Sequence, residues 1–317
     1  EAAQEPAKNV IHFYNDGIHF DNLLGTLGQG AVSIDGKISS NEYIEGRFDL
    51  TWEGPTGDES LFAILPSIVG DTLIDIEMKG GYSSMPNAEV SFYGENWNNL
   101  AVHFNGDITQ ENVSLDVGIG LEQIQGVTHV EGEYSKEKLS AFELSMAFEE
   151  LTTLGRKVTN VAGSLELDSE TERFVFENVR GESVTGSVTV DGWLGLDGAK
   201  EYELEVLISG VDLAAKEGSD IAASLEGELQ GWVSIAGTRG DQTTRRGMGK
   251  IIVENGHLEI DPLTLTTMRI LQLSLPSVST VVGAEIDLYI QGDDIILEDI
   301  SLRSSDRGIS PFVLEGE

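Results

Sequence analysis

The sequence contains no cysteine, and its 317 residues include only 7 prolines. Without cysteine, the chain has neither a disulfide framework nor a metal site built on thiolates. Glycine is abundant by contrast, with 37 residues. Many glycines beside few prolines are typical of short strands joined by tight turns, so the composition favours a β-rich protein.

Basic residues are also scarce, with 19 Lys and Arg against 55 Asp and Glu, which gives a formal net charge of -36. Such a chain repels polyanions, so we expect no nucleic-acid partner. Anionic membrane surfaces are disfavoured for the same reason. We interpret the acids as a solvated surface that keeps a β-rich protein from self-associating, and a cation-rich or salty habitat would fit as well.

Long apolar runs are missing too. No segment approaches the roughly 20 residues that cross a bilayer as a helix, and the run from Leu61 to Val69 is interrupted by Pro66. The chain starts at Glu1 rather than at methionine. We therefore expect it to have been processed, or excised from a longer protein.

Signatures of catalysis are absent from the sequence. The 5 histidines form no HExxH motif, and there is no GxSxG elbow for a nucleophilic serine. The glycine-rich stretch from Gly25 to Gly30 lacks the lysine of a phosphate loop. Asp293-Asp294 and Glu298-Asp299 do not have EF-hand spacing. The sequence therefore predicts no enzyme, no catalytic residue, no cofactor and no metal site.

Alternating strands fill most of the chain. Between Phe142 and Phe148, apolar residues alternate with Glu143, Ser145 and Ala147, which predicts one apolar and one mostly polar face. Asn105-Gly106 predicts a hairpin turn. We predict an all-β fold with one to three short helices, in which a long, curled antiparallel sheet forms a groove or an open barrel. A sheet folded fully onto itself would instead bury this face in a sandwich.

The segment from Gly247 to Leu302 carries the clearest pattern. It predicts a strand from Lys250 to Glu254, a hairpin turn at Asn255-Gly256 and a second strand up to Ile260. Asp261-Pro262 then begins a short apolar helix near 262–275, which we term the plug. Two closing strands follow, the first with alternating Ile286, Leu288 and Ile290.

An earlier segment echoes this pattern. Asp58 is placed to cap a short helix over Leu61 and Phe62. Leu65-Pro66-Ser67 then recurs as Leu275-Pro276-Ser277, and Ile74 to Gly80 matches Ile286 to Gly292 in its apolar positions. The echo predicts a repeated unit in a stacked array.

This layout resembles the C-terminal region of the AsmA-like family of bacterial envelope proteins, which includes TamB-like and YhdP-like members. The resemblance rests on the glycine-led strand from Gly247 to Val253, the turn Asn255-Gly256, the Asp261 to Leu263 triplet and the segment ending in Leu275-Pro276. Further matching stretches are Ala162 to Leu167, Gly181, Gly186 to Val188, Val211 to Ala215 and Leu225 to Leu229. The resemblance implies a groove segment at residues 1–155 and an AsmA-like C-terminal region at 156–317.

The family resemblance also implies a function. AsmA-like proteins are similar to bridge-type lipid-transfer proteins, so we expect a periplasmic or envelope protein that binds phospholipid or another acyl-chain lipid. It would reach the inner and outer membranes through regions outside this chain, including an N-terminal anchor, and would support outer-membrane homeostasis. The groove-lining candidates are Ile251, Val253, Leu258, Ile260, Leu271, Leu273, Leu275, Ile286, Leu288 and Ile290.

Two alternatives stay open at this point. Repeats, glycine turns and acidity also suit a structural or adhesive surface module, built as a β-solenoid or sandwich. The acids and 4 tryptophans would suit a carbohydrate-active β-sandwich, although with 55 acids some carboxylate pair always has a suitable separation by chance.

Overall fold

The computed structural model describes residues 9–63, 67–135, 138–153, 155–196, 198–212, 226–259, 280–304 and 312–315. These residues form 17 strands in one sheet, together with two short helices. The first half contains β1 (Val10–Tyr14), β2 (Gly17–Leu27), β3 (Gly30–Ser40), β4 (Ile44–Pro55), α1 (Glu59–Phe62), α2 (Ser67–Asp75), β5 (Tyr82–Gly94), β6 (Leu100–Asp116), β7 (Gly120–Ser135) and β8 (Lys138–Thr153). The second half contains β9 (Arg156–Asp168), β10 (Arg173–Glu182), β11 (Ser187–Gly195), β12 (Glu201–Asp212), β13 (Glu226–Thr238), β14 (Asp241–Glu259), β15 (Thr280–Gln291), β16 (Asp294–Ser304) and β17 (Phe312–Glu315).

Every strand pairs antiparallel with the next strand in the chain, from β1–β2 to β16–β17. Among the described strands, β1 and β17 do not pair with each other, so the sheet is open and these two strands are its edges. This arrangement confirms the predicted all-β fold with a long, curled antiparallel sheet and short helices. β8 and β9 pair across the predicted boundary between residues 155 and 156, and the division into two regions stays a prediction.

The two faces of the sheet differ sharply in chemistry. On β12, Tyr202, Leu204 and Val206 are buried, whereas the alternating Glu201, Glu203 and Glu205 are exposed. Strand register carries the same alternation to neighbouring strands, since paired residues lie on one face. We call the apolar side the inner face and the acidic side the outer face.

Asparagines at positive φ mark bulges at which the strands bend. Asn22, Asn112, Asn178 and Asn255 have φ of 46, 56, 52 and 53°, and each lies where the pairing register shifts. Asparagine tolerates this left-handed conformation better than most residues. A bulge bends its strand and increases the local twist, so these positions contribute to the curl of the sheet.

The two predicted Asn-Gly hairpin turns are wrong. Asn255-Gly256 lies within β14, where it forms a bulge, and Asn105-Gly106 lies within β6. Gly106 serves a different purpose, because a Cβ there would lie 3.0 Å from Ala88 on β5. The chain's two Asn-Gly pairs therefore mark a bulge and a close strand contact rather than turns.

The predicted helix near Leu61 is confirmed as α1. Asp58 caps it by accepting a 2.9 Å hydrogen bond from the Ser60 backbone N–H. The expected match of Ile74–Gly80 with Ile286–Gly292 is wrong, because α2 extends to Asp75, whereas Ile286–Ile290 lies in β15. Val69, Leu73 and Ile76, the last just beyond α2, are spaced so that they lie on one side of the helix. The two segments therefore differ in secondary structure, and the echo is not a structural repeat.

The middle strands hold a packed core. One cluster of buried residues contains Leu139, Phe174, Phe176, Leu194, Tyr202, Leu204 and Ile235. A second cluster contains Val113, Ile124, Leu151, Val158 and Val161. Val69 of α2 packs against the first cluster, and Met78 packs against the second. The helical insert between β4 and β5 therefore covers part of the inner face.

Candidate binding groove

A row of phenylalanines follows the inner face across the first half of the sheet. The ring centroids of Phe20 and Phe48 are 5.8 Å apart, and those of Phe48 and Phe92 are 5.9 Å apart. All three side chains are half-buried. The ring centroid of Trp97 lies 6.2 Å from that of Phe92, and Trp97 is 61% exposed. A second set of ring contacts runs from Phe104 through Phe142 to Phe174 on β10, with centroid distances of 6.3 and 4.9 Å.

Glycines on adjacent strands make room for these rings. A Cβ on Gly46 would lie 2.3 Å from Cζ of Phe92, and a Cβ on Gly132 would lie 2.3 Å from Cζ of Phe104. Each ring therefore covers the backbone of the neighbouring strand, as in pairs where an aromatic residue protects a strand glycine. The result is a smooth apolar floor, since the rings fill the space that the glycines leave.

Burial changes along this floor. Phe20, Phe48 and Phe92 on β2, β4 and β5 keep part of their surface open to solvent, whereas Phe174 and Phe176 on β10 are 4% and 8% exposed. The inner face is thus a partly open trough at β2–β5 and a packed core around β9–β13. An apolar surface of this kind on a folded protein commonly marks an interaction site.

Five of the groove candidates predicted from the sequence lie on the inner face of β14 and β15. Ile251 pairs with Ile286, and Gly249 and Gly247 pair with Leu288 and Ile290. Val253 pairs with Ala284 one step further along the same face. Leu288 is 6% exposed, so it is a core residue, whereas Ile251, Val253, Ile286 and Ile290 are half-buried.

The remaining candidates are less well defined by the structure. The backbone of Leu258 pairs with that of Val281. Ile260, Leu271, Leu273 and Leu275, together with the predicted plug over residues 262–275, lie outside the described residues. Their role in a groove stays a prediction.

Sequence reasoning missed the phenylalanine row of the first half. A signal for it exists in a short motif in which Phe, an acid, Asn and an aliphatic residue follow each other. It occurs as Phe20–Leu23 and Phe176–Val179, and in both cases an Asp-Gly pair follows on the next strand, at Asp35-Gly36 and Asp191-Gly192. Phe20 pairs with Gly36 and Phe176 pairs with Gly192, so the motif places a phenylalanine directly opposite an inner-face glycine. At Gly192 the Phe176 ring is 3.0 Å from the position of a Cβ, whereas at Gly36 the nearest ring is that of Phe48.

A charged contact fixes the helical insert to the far part of the sheet. Nζ of Lys200, just before β12, donates a 2.9 Å hydrogen bond to Oδ1 of Asp75 at the end of α2. Nη1 of Arg239 lies 3.5 Å from Oδ2 of Asp75, and Nη2 donates a 2.6 Å hydrogen bond to the Gly195 carbonyl. The side chain of Arg239 is 4% exposed and that of Asp75 is 15% exposed. These contacts of Asp75 with Lys200 and Arg239 link the helical insert to residues that are distant in the sequence. We call this set of contacts the strap.

The outer face carries rows of like charge. Asp35 pairs with Asp49, which pairs with Glu89, and Glu131, Glu143 and Glu166 are aligned in the same way. Carboxylates directly opposite each other are destabilising. Such charges also prevent two sheets from stacking on each other, so this face favours solvation over association.

Two surface aspartates have pKa values lowered by hydrogen bonds. The backbone N–H groups of Gln29 and Ser60 lower the pKa of Asp58, and the hydroxyl of Thr171 and the N–H of Glu170 lower that of Asp168. Both carboxylates organise turns. Over the described ranges, no group of three or more His, Asp or Glu side chains is arranged to hold a metal ion.

No protein-family model matches this chain, and comparison with curated proteins and with solved structures gives no significant match. Within the described part of the chain, no helix has the length and apolar character needed to cross a membrane.

Proposed function

We propose that this chain is a non-enzymatic protein that holds acyl chains of phospholipids, or of similar lipids, on its inner face. The observation that carries the proposal is the row of Phe20, Phe48 and Phe92 on an open, apolar face whose reverse side is acidic. The resemblance to AsmA-like bridge-type proteins supports the same interpretation. It adds a place in the bacterial cell envelope and a role in outer-membrane homeostasis to the proposal.

Binding of a lipid tail at such a site requires no polar contact, because burial of CH₂ groups supplies the free energy. Each CH₂ group removed from water contributes about 0.8 kcal/mol, so burying part of an acyl chain on the phenylalanine floor offsets the cost of ordering it. The headgroup would remain in water at the rim. No catalytic residue is required for this binding.

The packed core limits how far a lipid could move along the inner face. Half-buried apolar residues lie on both sides of the core, at β2–β5 and at β14–β15. Continuous conduction along the whole inner face would require the core around Phe174 and Leu204 to open. The described residues therefore favour binding of a lipid in the trough at β2–β5 over its free passage along the whole inner face.

The two alternative functions both invoke other folds. An adhesive module would be a solenoid or a sandwich and a carbohydrate-active enzyme a sandwich, whereas the described strands form one sheet. Neither alternative has a specific observation in its favour.

Native mass spectrometry of the gently purified chain tests the proposal. We expect bound lipid on the unaltered protein and loss of most of it in Phe92→Asp, which places a charge in the trough. Tyr93→Asp is the matched control, because Tyr93 is the next residue, lies on the outer face and is 52% exposed. Absence of lipid under all conditions, or equal loss in both variants, would contradict the proposal.

A further inference from the structure

The outer face of β12–β16 carries an exposed apolar patch that is surrounded by acidic residues. Its members are large side chains that all lie on the side opposite the groove. Their exposed fractions are 55% for Leu207, 38% for Trp232, 52% for Met248, 42% for Tyr289 and 47% for Ile296. We call this set the outer apolar patch.

Strand register places these residues next to each other. Leu207 pairs with Trp232, and Met248 pairs with Tyr289, which pairs with Ile296. Trp232 pairs with Lys250, two residues along from Met248, so Trp232 and Met248 are diagonal neighbours on one face. Directly paired side chains have Cβ atoms about 5 Å apart and diagonal ones about 7–8 Å. The patch is therefore continuous across five strands.

The patch residues do not pack in the hydrophobic core, so core packing does not account for their apolar character. The residues adjacent to its members along each strand, such as Val206, Val233 and Leu288, point to the inner face and supply the packing there. On β12 itself the outer positions before Leu207 are Glu201, Glu203 and Glu205. An aromatic and methionine cluster on such a surface has the composition of the centre of a protein–protein interface.

The rim of the patch determines what kind of partner fits. Glu205, Glu285, Asp287 and Glu298 surround it on the outer face. Glu285 and Asp287 pair with Lys250, and Glu298 accepts a hydrogen bond from Tyr289. The cations on this surface are Lys250, opposite Trp232, and Arg246. The four carboxylates outnumber these two cations, so the rim is acidic. A second copy would bring two acidic rims and two chains of charge -36 together.

We propose that the outer apolar patch is a docking surface for a cationic, amphipathic protein segment. Apolar side chains of the partner would cover Trp232, Met248 and Tyr289, and its Lys or Arg residues would face the acidic rim. Charge complementarity of this type increases the association rate and excludes acidic partners. The surface is separate from the groove, so this inference does not depend on lipid binding.

Fluorescence anisotropy with the full chain tests the docking surface. The probe is a labelled peptide of alternating Leu and Lys with one Phe, compared with a peptide of the same composition in scrambled order. We expect the alternating peptide to bind more tightly, and the double variant Trp232→Ser with Met248→Ser to bind it about tenfold or more weakly. The control is Val127→Ser, since Val127 is an outer-face residue of β7 that is 39% exposed.

Three results would overturn the proposal. Equal affinity for the two peptides, or equal affinity of the patch variant and the control, would mean that the acidic chain attracts cations without using the patch. Dimers of the unaltered chain that the double variant abolishes would make a second copy the occupant. Unchanged circular dichroism and melting temperature of the double variant would confirm that weaker binding does not come from unfolding.

Discussion

The backbone N–H of Asn178 donates a 2.7 Å hydrogen bond to Oδ1 of Asp191 on the adjacent strand. The same contact occurs near the start of the sheet, where the N–H of Asn22 donates to Oδ1 of Asp35 at 2.8 Å. Partners in both pairs are 13 residues apart in sequence, and both asparagines are at bulges with positive φ. A bulge leaves one N–H outside the strand ladder, and in both places an aspartate satisfies it.

This contact gives a first prediction. Asp191→Ala removes a charge-assisted acceptor and should lower the free energy of unfolding by about 1–2 kcal/mol. Glu177→Ala is the control, because Glu177 is exposed on the same bulge and should change stability by less than about 0.5 kcal/mol. Urea denaturation of both variants measures the difference. Equal stability would mean that the aspartate does not support the bulge.

The contacts between rings and glycines give a second prediction. Gly46→Ala places a Cβ within 2.3 Å of the Phe92 ring, so the ring must move and stability should fall by about 1–3 kcal/mol. Gly120→Ala is the matched control, because no atom lies within 4 Å of its new Cβ. Thermal unfolding compares the two variants. A Gly46→Ala protein as stable as the control would contradict the close contact.

The strap gives a third prediction. Asp75→Asn leaves the guanidinium of Arg239 facing a neutral amide at a site that is 4% exposed, so we expect a loss of about 2–4 kcal/mol. Glu77→Gln, which removes an ion pair with Lys79 on exposed side chains, should cost less than about 1 kcal/mol. Denaturant unfolding distinguishes the two. If both substitutions cost the same, the Asp75 contact does not fix the helical insert.

Acid sensitivity gives a fourth prediction. The pKa of Asp58 is lowered in the folded chain by the N–H groups of Gln29 and Ser60. The stabilisation is therefore present above the unfolded-state pKa of about 3.9, and it is lost as the pH falls through the lower, folded-state pKa. Asp58→Asn should reduce the dependence of stability on pH below about 4. Unfolding curves recorded between neutral and strongly acidic pH would contradict this if the variant and the unaltered chain had parallel profiles.

The fold class was predictable from the sequence because the alternation that specifies strands is local. The helix cap at Asp58 was predictable for the same reason. The hairpin turns at Asn105-Gly106 and Asn255-Gly256 were not, because the same residue pair suits a bulge within a long strand. The choice between a turn and a bulge depends on pairing with strands far along the chain.

The groove was only partly predictable. Ile251 and Ile286 share the inner face, since alternation assigns a residue to a face once the register is known, but their role in a groove stays a prediction. Alternation does not indicate how much of that face other parts of the chain cover. The burial of Leu288 and the open row at Phe20, Phe48 and Phe92 therefore became visible only in the structure.

Photo-crosslinking determines which face of the sheet contacts lipid. A benzophenone amino acid replaces Phe48 on the inner face or, as the control, Asp49 on the outer face, and each protein is irradiated with phospholipid vesicles. We expect lipid adducts at position 48 and few or none at position 49. Equal labelling at the two positions, or no adduct at position 48 in a folded protein, would contradict a lipid-binding inner face.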